Sequence, residues 1–246
     1  MIEIYEFKKM DLRGATIVDG FPSAGLISVI TANYLIGTLN LEQICAMDSP
    51  DFPPNSMVYS SKPNFPVRMY ADERNKLVVF ISEFAPPPAL VRPIADAILS
   101  WAKDHKCGRI ISPEGIPIQE YSGGVDKEKE CCIYAVGSNT HARNKLDEFG
   151  IDQLETGIVS GVSAILLNEG RRRDFDVIGI LPEVNPNIPD VRAAAKVMEL
   201  INKFIPKVYL DPEPLYKEAA RIEEYMWGPN GSEEHVESAA STLMYG

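Results

Sequence analysis

The sequence predicts an α/β fold in which a mixed, mainly parallel sheet is flanked by helices. Short apolar runs alternate with longer segments of helical period through the second half of the chain, and that alternation implies crossover connections. The 246 residues are 45% apolar and 24% charged, a composition that suits a globular chain with one large core. The sequence contains no internal repeat, which argues against a solenoid.

The predicted strands are short apolar runs bounded by turn residues. In chain order they cover residues 15–19, 44–47, 57–60, 67–70, 77–82, 109–112, 131–136 and 175–181. The segment 48–54 is expected to be an extended loop, because its prolines interrupt both a helix and a strand ladder. The polar run 71–76 is expected to form the turn between two neighbouring strands.

Apolar residues at helical spacing predict the helices of the body. They cover residues 23–37, 89–105, 140–149, 158–172 and 189–205. Ser23 has the side chain of an N-cap, and Pro189 opens its helix where a proline costs little.

After residue 210 the chain changes character. A short charged helix carries an apolar stripe made of Leu215, Ala219, Ile222 and Met226. Such a stripe packs either on the body or on another subunit, so this helix and helix 189–205 are the candidate interface elements. Residues 228–241 are Gly, Pro, Asn, Ser, Glu and Ala with few apolar residues, a composition that cannot bury a core. We therefore expect an α/β core domain at 1–210, a C-terminal helix at 211–227 and a flexible tail at 228–246.

The charge balance limits the classes of partner. The formal net charge is −11 and the isoelectric point is near 4.8. A nucleic-acid-binding protein needs a basic footprint, and an anionic membrane attracts basic segments, so neither partner is expected. The N-terminus lacks a basic segment followed by an apolar one, and no run reaches about 18 apolar residues. These features predict a cytoplasmic protein, with Cys45, Cys107, Cys131 and Cys132 as reduced, buried thiols.

One turn in the first half has the composition of a ligand-binding loop. The segment GFPSAG, which contains Gly20, Phe21, Pro22, Ser23 and Gly25, follows a predicted strand and opens a predicted helix. Such a turn lies at the carboxyl edge of an α/β sheet, where ligands often bind. It is neither a GxGxxG fingerprint nor a P-loop. Both tight strand–helix packing and a ligand turn therefore remain open.

Two acidic residues, Glu83 and Glu114, also follow predicted strands. A pair of carboxyl groups meeting above the sheet could act as acid and base. Alternatively, each carboxylate is simply solvated or caps a helix.

Other polar residues carry little signal for catalysis. Ser160 lies in a Gly/Ser turn but lacks the glycines of a GxSxG elbow. His235 is in the tail and His105 is at a helix end, so His141 is left as a candidate base, with no visible acidic residue to orient it. The run 171–173 of three arginines either complements a helix C-terminus or binds phosphate. The sequence therefore predicts no catalytic residue, no metal ligand and no cofactor.

Several segments taken together resemble the proteasome assembly chaperone family. They are residues 20–26, 34–36, 66–70, 111–117, 161–169 and 177–180, and the resemblance extends over most of residues 1–225. It implies an α/β fold similar to the phosphorylase/hydrolase-like fold, without the catalytic residues of nucleoside phosphorylases. It also implies a homo-oligomer, with a tetramer favoured.

The last three residues, Met244, Tyr245 and Gly246, resemble the hydrophobic–Tyr–any residue (HbYX) motif of proteasome activators and some archaeal assembly chaperones. The resemblance implies that the carboxylate of Gly246 pairs with a lysine in a pocket between proteasome α subunits. Tyr245 would insert its ring, and Met244 would fill an apolar shelf. A tail without any partner is the alternative.

These resemblances imply an ATP-independent chaperone or adaptor of the proteasome core particle, and not an enzyme. The tail does not distinguish an assembly chaperone from an activator. The alternative function is a small-molecule-binding protein or enzyme with a site at the carboxyl edge of the sheet, built from Ser23, Glu83, Glu114 and Ser160.

Overall fold

The structure, a computed structural model, describes residues 2–59, 61–117 and 132–227. The strands in these ranges are β1 (Glu3–Glu6), β2 (Thr16–Val18), β3 (Glu42–Asp48), β4 (Met57–Tyr59), β5 (Lys62–Asn64), β6 (Val67–Asp72), β7 (Leu77–Ser82), β8 (Arg109–Pro113), β9 (Ile116–Pro117), β10 (Ile133–Gly137) and β11 (Val177–Val184). The helices are α1 (Ile27–Leu39), α2 (Pro88–Asp104), α3 (Thr140–Glu148), α4 (Gly161–Arg173), α5 (Val191–Phe204) and α6 (Glu213–Trp227).

Nine of the described strands form one mixed sheet in the order β1-β3-β6-β7-β2-β8-β11-β10, with β9 beside the end of β11. The central strands β7, β2, β8 and β11 are parallel, and both flanks are antiparallel. Strands β4 and β5 form a separate hairpin. Helix α2 connects two of the central strands, as a crossover between parallel strands requires. The predicted α/β fold with a mixed sheet is confirmed.

Helices cover both faces of the parallel centre. On one face α1 and α5 pack in a core that includes Val18 and Ile111, and on the other α2 and α4 pack with Ile17 and Ile110. These residues alternate along β2 and β8 because successive side chains of a strand point to opposite faces. All four are completely buried. A strand covered on both sides carries a continuous apolar run, which is why the sequence marks these strands clearly.

The first helix begins later than the sequence predicts. Ser23 makes no side-chain capping hydrogen bond, and Gly25 and Leu26 have positive φ values of 66° and 52°. Left-handed residues interrupt a right-handed helix, so a short 3₁₀ turn forms first and α1 starts only at Ile27. The prediction of one helix over 23–37, capped by Ser23, is therefore wrong at its start.

Other element boundaries differ by a few residues. Strand β7 has the predicted bounds, whereas the helix expected at 158–172 begins at Gly161. Strands β1, β5 and β9 have no counterpart among the predicted elements, and they are only two to four residues long. In the part of the chain that is described, no helix has both the length and the apolar character needed to span a bilayer.

The thiols are not all buried. Cys45 and Cys107 are buried and free, and burial raises the pKa of each to about 12. Cys132 is exposed, because it precedes β10 instead of lying within the strand expected at 131–136. The prediction of a buried thiol is therefore wrong for Cys132. Cys131 lies outside the described residues.

Both candidate interface helices are engaged within the chain itself. Helix α6 packs on α5, and its stripe residues Leu215 and Ala219 are 7% and 3% exposed. Ile222 is partly buried against the same core. On α5 most apolar side chains are buried against α1 and the sheet. Leu215, Ala219 and Ile222 therefore pack on the body of this chain, which is one of the two alternatives that the sequence left open. The side chain of Met226 lies outside the described part of the structure.

Candidate functional site

Polar side chains gather where strands β2 and β8 end. Since the two strands are parallel neighbours, their carboxyl ends meet at one edge of the sheet. The backbone N–H of Asp19 donates to the carbonyl of Ile111 (2.9 Å), and that of Glu114 donates to the carbonyl of Ile180 (2.9 Å). Asp19 and Glu114 therefore stand side by side above the sheet. We call Asp19, Ser112 and Glu114 the edge cluster.

Asp19 is a buried member of the edge cluster, with 3% of its surface exposed. Its carboxylate accepts hydrogen bonds from the Ser112 hydroxyl (2.6 Å, Oγ to Oδ2) and from the Phe21 backbone N–H (3.0 Å, to Oδ1). Burial raises the pKa of Asp19 to about 6, although the two hydrogen bonds oppose the rise. The side chain thus holds the turn after β2 in place and titrates close to neutral pH.

The pKa of Glu114 is raised further than that of Asp19. Burial, reinforced by the charge of Asp19, raises the pKa of Glu114 to about 8. A Cβ atom at Gly161 would lie 3.3 Å from its Oε2 atom, so the carboxyl group contacts the first residue of α4. Both pKa values lie above the ordinary range for carboxyl groups and differ from each other. Such a pair can hold one group protonated while its neighbour is ionised, as an acid and a base in one site require. The edge cluster is therefore the chemically distinctive part of this edge.

The GFPSAG turn is closely packed. A Cβ atom at Gly20 would lie 2.4 Å from the carbonyl oxygen of Phe80 and 2.5 Å from the Cβ of Ala32. Phe21 is buried, and its carbonyl oxygen accepts a hydrogen bond from the Ser28 hydroxyl. The hydroxyl of Ser23 lies 3.0 Å from that of Ser28. This is the geometry that tight strand–helix packing requires. Pro22, Ser23 and Ala24 are the partly exposed residues of the turn.

Glu83 has a separate environment. Its carboxylate forms an ion pair with Arg68, and each side chain is only 8% exposed. Arg68 also donates to the carbonyl of Phe65 (2.9 Å) and to the hydroxyl of Tyr70 (3.2 Å), which satisfies the buried guanidinium. Of the two alternatives for Glu83 and Glu114, the structure supports neither an acid–base pair between them nor simple solvation, because Glu83 is buried against Arg68 and Glu114 is buried beside Asp19.

Sequence reasoning missed two residues here. Asp19 ends a predicted apolar strand, and an acidic residue at the carboxyl end of a buried strand is itself a signal of a site. Arg68 stands between Val67 and Met69 in an apolar run, and a charge at such a position needs a buried partner.

The structure separates Ser160 from His141. Ser160 is exposed at the start of α4 and makes no capping hydrogen bond. His141 lies beyond the other end of α4, where its Nδ1 pairs with the carboxylate of Asp176. The 13 residues of α4 span about 20 Å. Asp176 is the acidic orienter that the sequence did not reveal, but Ser160 and His141 are too far apart to act together.

Among the described residues, no group of three or more His, Cys, Asp or Glu side chains is arranged to hold a metal ion. Met244, Tyr245 and Gly246 lie outside the described residues, and α6 ends at Trp227. The HbYX-like motif therefore remains a sequence-based prediction.

Comparison with known proteins identifies relatives of this fold. The model of the PAC2 family matches residues 17–227. The crystal structure of Pyrococcus furiosus PbaA, described as an archaeal homolog of proteasome-assembly chaperone, is 27% identical with a TM-score of 0.81, over 99% of this chain and 98% of PbaA. That of P. furiosus PbaB, described as an archaeal proteasome activator, is 21% identical with a TM-score of 0.75, over 92% and 97%. An uncharacterised protein of Methanocaldococcus jannaschii is 23% identical over 222 residues, 90% of this chain and 88% of the relative.

Proposed function

The chain belongs to the PAC2 family, and from that membership we propose that it is an ATP-independent proteasome assembly chaperone or proteasome-binding adaptor. The observation that carries the proposal is the similarity to PbaA, which extends over almost the whole of both chains. The acidic chain adds an electrostatic argument. A net charge of −11 favours a basic protein surface over a nucleic acid or an anionic membrane.

The C-terminal residues supply a specific docking mechanism. Gly246 would place its free carboxylate against a lysine between two adjacent α subunits of the proteasome. Tyr245 would bury its ring while its hydroxyl meets a polar group at the pocket wall, and Met244 would fill an apolar shelf. Each group contributes a different type of contact, so the motif requires all three and a free chain end.

The distance between body and motif suits this mechanism. Helix α6 ends at Trp227, and its buried residues Leu215 and Ala219 anchor it to α5. Residues 228–241 have the composition of a linker, and a linker of 14 residues would reach roughly 20 Å. The tail would then search for a pocket while the body rests above the ring.

A three-residue motif binds weakly, so several tails should act together. In a homo-oligomer the first bound tail raises the effective concentration of the others, and the overall affinity exceeds that of any single tail. We propose a homo-oligomer, with a tetramer favoured. Since the apolar faces of α5 and α6 are covered within the chain, its interface would use other surfaces.

The test is binding of the full chain to immobilised archaeal proteasome α rings, measured by surface plasmon resonance. Deletion of Met244–Gly246, Tyr245→Ala, and extension of the chain by one alanine should each abolish most of the binding, because each removes at least one of the three required contacts. Tyr209→Ala is the matched control, since this tyrosine is 76% exposed on the body.

Loss in the three tail variants with retention in Tyr209→Ala supports docking through the tail. If the full chain does not bind at all, the proteasome role loses its support and the edge cluster becomes the leading site. If the full chain and the tail variants bind equally, the body carries recognition and the proposed docking mechanism is wrong.

A further inference from the structure

Aromatic side chains are exposed at one edge of the large sheet, where β1 is the first strand in the strand order. Six large apolar side chains are well exposed in the described residues, and four of them are Tyr5, Phe7, Val58 and Tyr59. The first two lie on β1 or directly after it, and the other two lie on the hairpin β4–β5. Phe65 joins the two groups, because its ring centre is 5.8 Å from that of Tyr5 and 6.5 Å from that of Phe7. We call Tyr5, Phe7 and Phe65 the aromatic patch.

We infer that two copies of this chain associate through the aromatic patch and the adjoining hairpin β4–β5. This interface rests on the proposed function, since it is the surface through which the proposed homo-oligomer would assemble. Contiguous apolar surface on a folded chain marks a site of protein contact. Aromatic residues are enriched at the centre of such contacts, where they supply most of the binding energy.

The aromatic patch is held in place by the chain itself. Tyr5 belongs to β1, and the backbone N–H of Phe7 donates to the carbonyl of Ile44 (2.8 Å), which ties Phe7 to β3. The carbonyl of Phe65 accepts a hydrogen bond from the buried guanidinium of Arg68 (2.9 Å). A partner would therefore meet aromatic rings on a fixed backbone, and little conformational entropy would be lost on association.

The hairpin β4–β5 is exposed on both of its faces. Its strands are three residues long and lie outside the large sheet. Val58 and Tyr59 are neighbours on β4, so their side chains point to opposite faces, and they are 68% and 55% exposed. An isolated two-stranded hairpin is only marginally stable in water. Because Phe65 directly follows β5, a second copy seated on the aromatic patch would also cover part of the hairpin.

The charges around the patch favour a second copy over a basic partner. Glu3 and Asp48 are cross-strand partners at one end of β1, whereas Lys8 and Lys9 follow the other end, with Lys8 paired to Glu42 (2.6 Å). A surface built for a basic protein would be acidic throughout, but this one carries both signs. In a contact with two-fold symmetry the ends are exchanged, so the acidic end of each copy lies against the basic end of the other.

The exposed aromatic area is sufficient for the centre of such an interface. Tyr5, Phe7 and Tyr59 are 42%, 56% and 55% exposed. They present about 300 Å² together if each aromatic side chain offers about 200 Å². Each partner buries about 800 Å² in an interface of standard size. The aromatic side chains would thus supply over a third of one side, and the hairpin and the charged ends of β1 would supply the remainder.

The position of the patch leaves the C-terminal helix uncovered. Helix α6 packs on α5, and α5 contacts β11, which lies six strands from β1 in the sheet order. At the usual strand spacing this separation is roughly 30 Å. Two copies joined at β1 would therefore keep both C-terminal helices accessible, as tail docking by several chains requires.

The experiment is analytical ultracentrifugation of the full chain over a range of concentrations, with no proteasome present. Phe7→Asp and Val58→Asp should each raise the dissociation constant between two copies by roughly a hundredfold, because each lost contact costs about tenfold and acts twice across a two-fold axis. A tetramer made of two such pairs would then fall to dimers. Ile158→Asp is the matched control, since Ile158 is 90% exposed before α4 and should not affect association. Thermal melting of each variant shows that the fold is intact.

A charge exchange tests the two-fold arrangement directly. Glu3→Lys should weaken association, because it makes both ends of the patch basic. Adding Lys9→Glu to the same chain should restore association, since the exchanged ends are again complementary across the two-fold axis. A double variant no stronger than Glu3→Lys alone would contradict this arrangement of the two copies.

Three further results would overturn the inference. A wild-type chain that is monomeric at every concentration removes both this interface and the proposed homo-oligomer, while tail docking is still measured on α rings. An oligomer unchanged in Phe7→Asp and Val58→Asp assembles through another surface. A monomer whose binding to α rings is lost in Phe7→Asp uses the patch for the proteasome. Deletion of Met244–Gly246 should leave the oligomeric state unchanged, so failure of tail docking is distinguishable from failure of this interface.

Discussion

At the residue scale, position decides the chemistry of each carboxyl group. Glu83 and Glu114 both follow central strands, yet Glu83 is paired with a buried arginine whereas Glu114 is buried beside Asp19. The guanidinium of Arg68 compensates the burial of the Glu83 carboxylate. The interactions that shift the pKa of Glu114 are burial and the charge of Asp19, and they include no cation. Glu114 consequently keeps its proton at neutral pH.

This difference predicts a pH dependence of stability. The pKa of Glu114 is raised by burial from 4.5 to about 8, so between these values the folded chain binds more protons than the unfolded chain. The free energy of unfolding should therefore fall as pH rises through this interval. The Glu114→Gln variant has no charge to titrate at this position. Between about pH 5.5 and about pH 8.5 its free energy of unfolding should therefore fall by roughly 1–3 kcal/mol less than that of the unsubstituted chain. Urea unfolding at both pH values measures the difference, and parallel pH profiles for the two chains would contradict it.

At the element scale, the turn between β2 and α1 depends on contact between backbones. Gly20 lies where any side chain would meet the carbonyl oxygen of Phe80 on β7 and the Cβ of Ala32 on α1. The sequence shows a glycine-rich turn but cannot show that strand and helix approach so closely there. The same glycine is compatible with a phosphate loop until its neighbours are known.

The close approach predicts the cost of a single methyl group. Gly20→Ala should destabilise the chain by roughly 2–3 kcal/mol, because the new Cβ would overlap a backbone oxygen that cannot move away. Gly37→Ala is the control on the adjoining helix α1, where nothing lies within 4 Å of the added Cβ. That variant should be neutral or more stable by up to about 1 kcal/mol. Urea unfolding of both variants is the measurement, and similar effects at the two positions would show that the turn is not closely packed.

At the scale of the whole molecule, charge and apolar surface point to different kinds of contact. The chain has a net charge of −11. The apolar side chains described on α5 and α6 are mostly buried against other parts of the same chain. Association with a partner should therefore begin with electrostatic attraction and be completed by a local apolar contact, as the terminal motif would provide.

Salt should then weaken the association. Raising NaCl from about 50 mM to about 500 mM shortens the screening length severalfold and should lower the association rate with α rings more than it raises the dissociation rate. Surface plasmon resonance at a series of salt concentrations separates the two rates. An association rate that is independent of salt would contradict a role for the acidic body and leave the tail as the sole determinant.

The sequence by itself determined the local elements and the class of fold. The apolar run of β7 predicted its bounds, and the period of residues 140–149 predicted α3 to within one residue. Both patterns are local, because a strand or helix records its buried face in the spacing of its own residues. The resemblance to a chaperone family likewise required only the order of short segments along the chain, and the family match over residues 17–227 agrees with it.

Only the tertiary structure decided which side chains meet. Asp19 and Ser112 are 93 residues apart, and His141 and Asp176 are 35 apart. Their contacts follow from strand order, which places β2 beside β8 and the start of β11 beside the end of β10. Strand order depends on the packing of both helical layers at once, so it leaves no trace in the spacing of neighbouring residues.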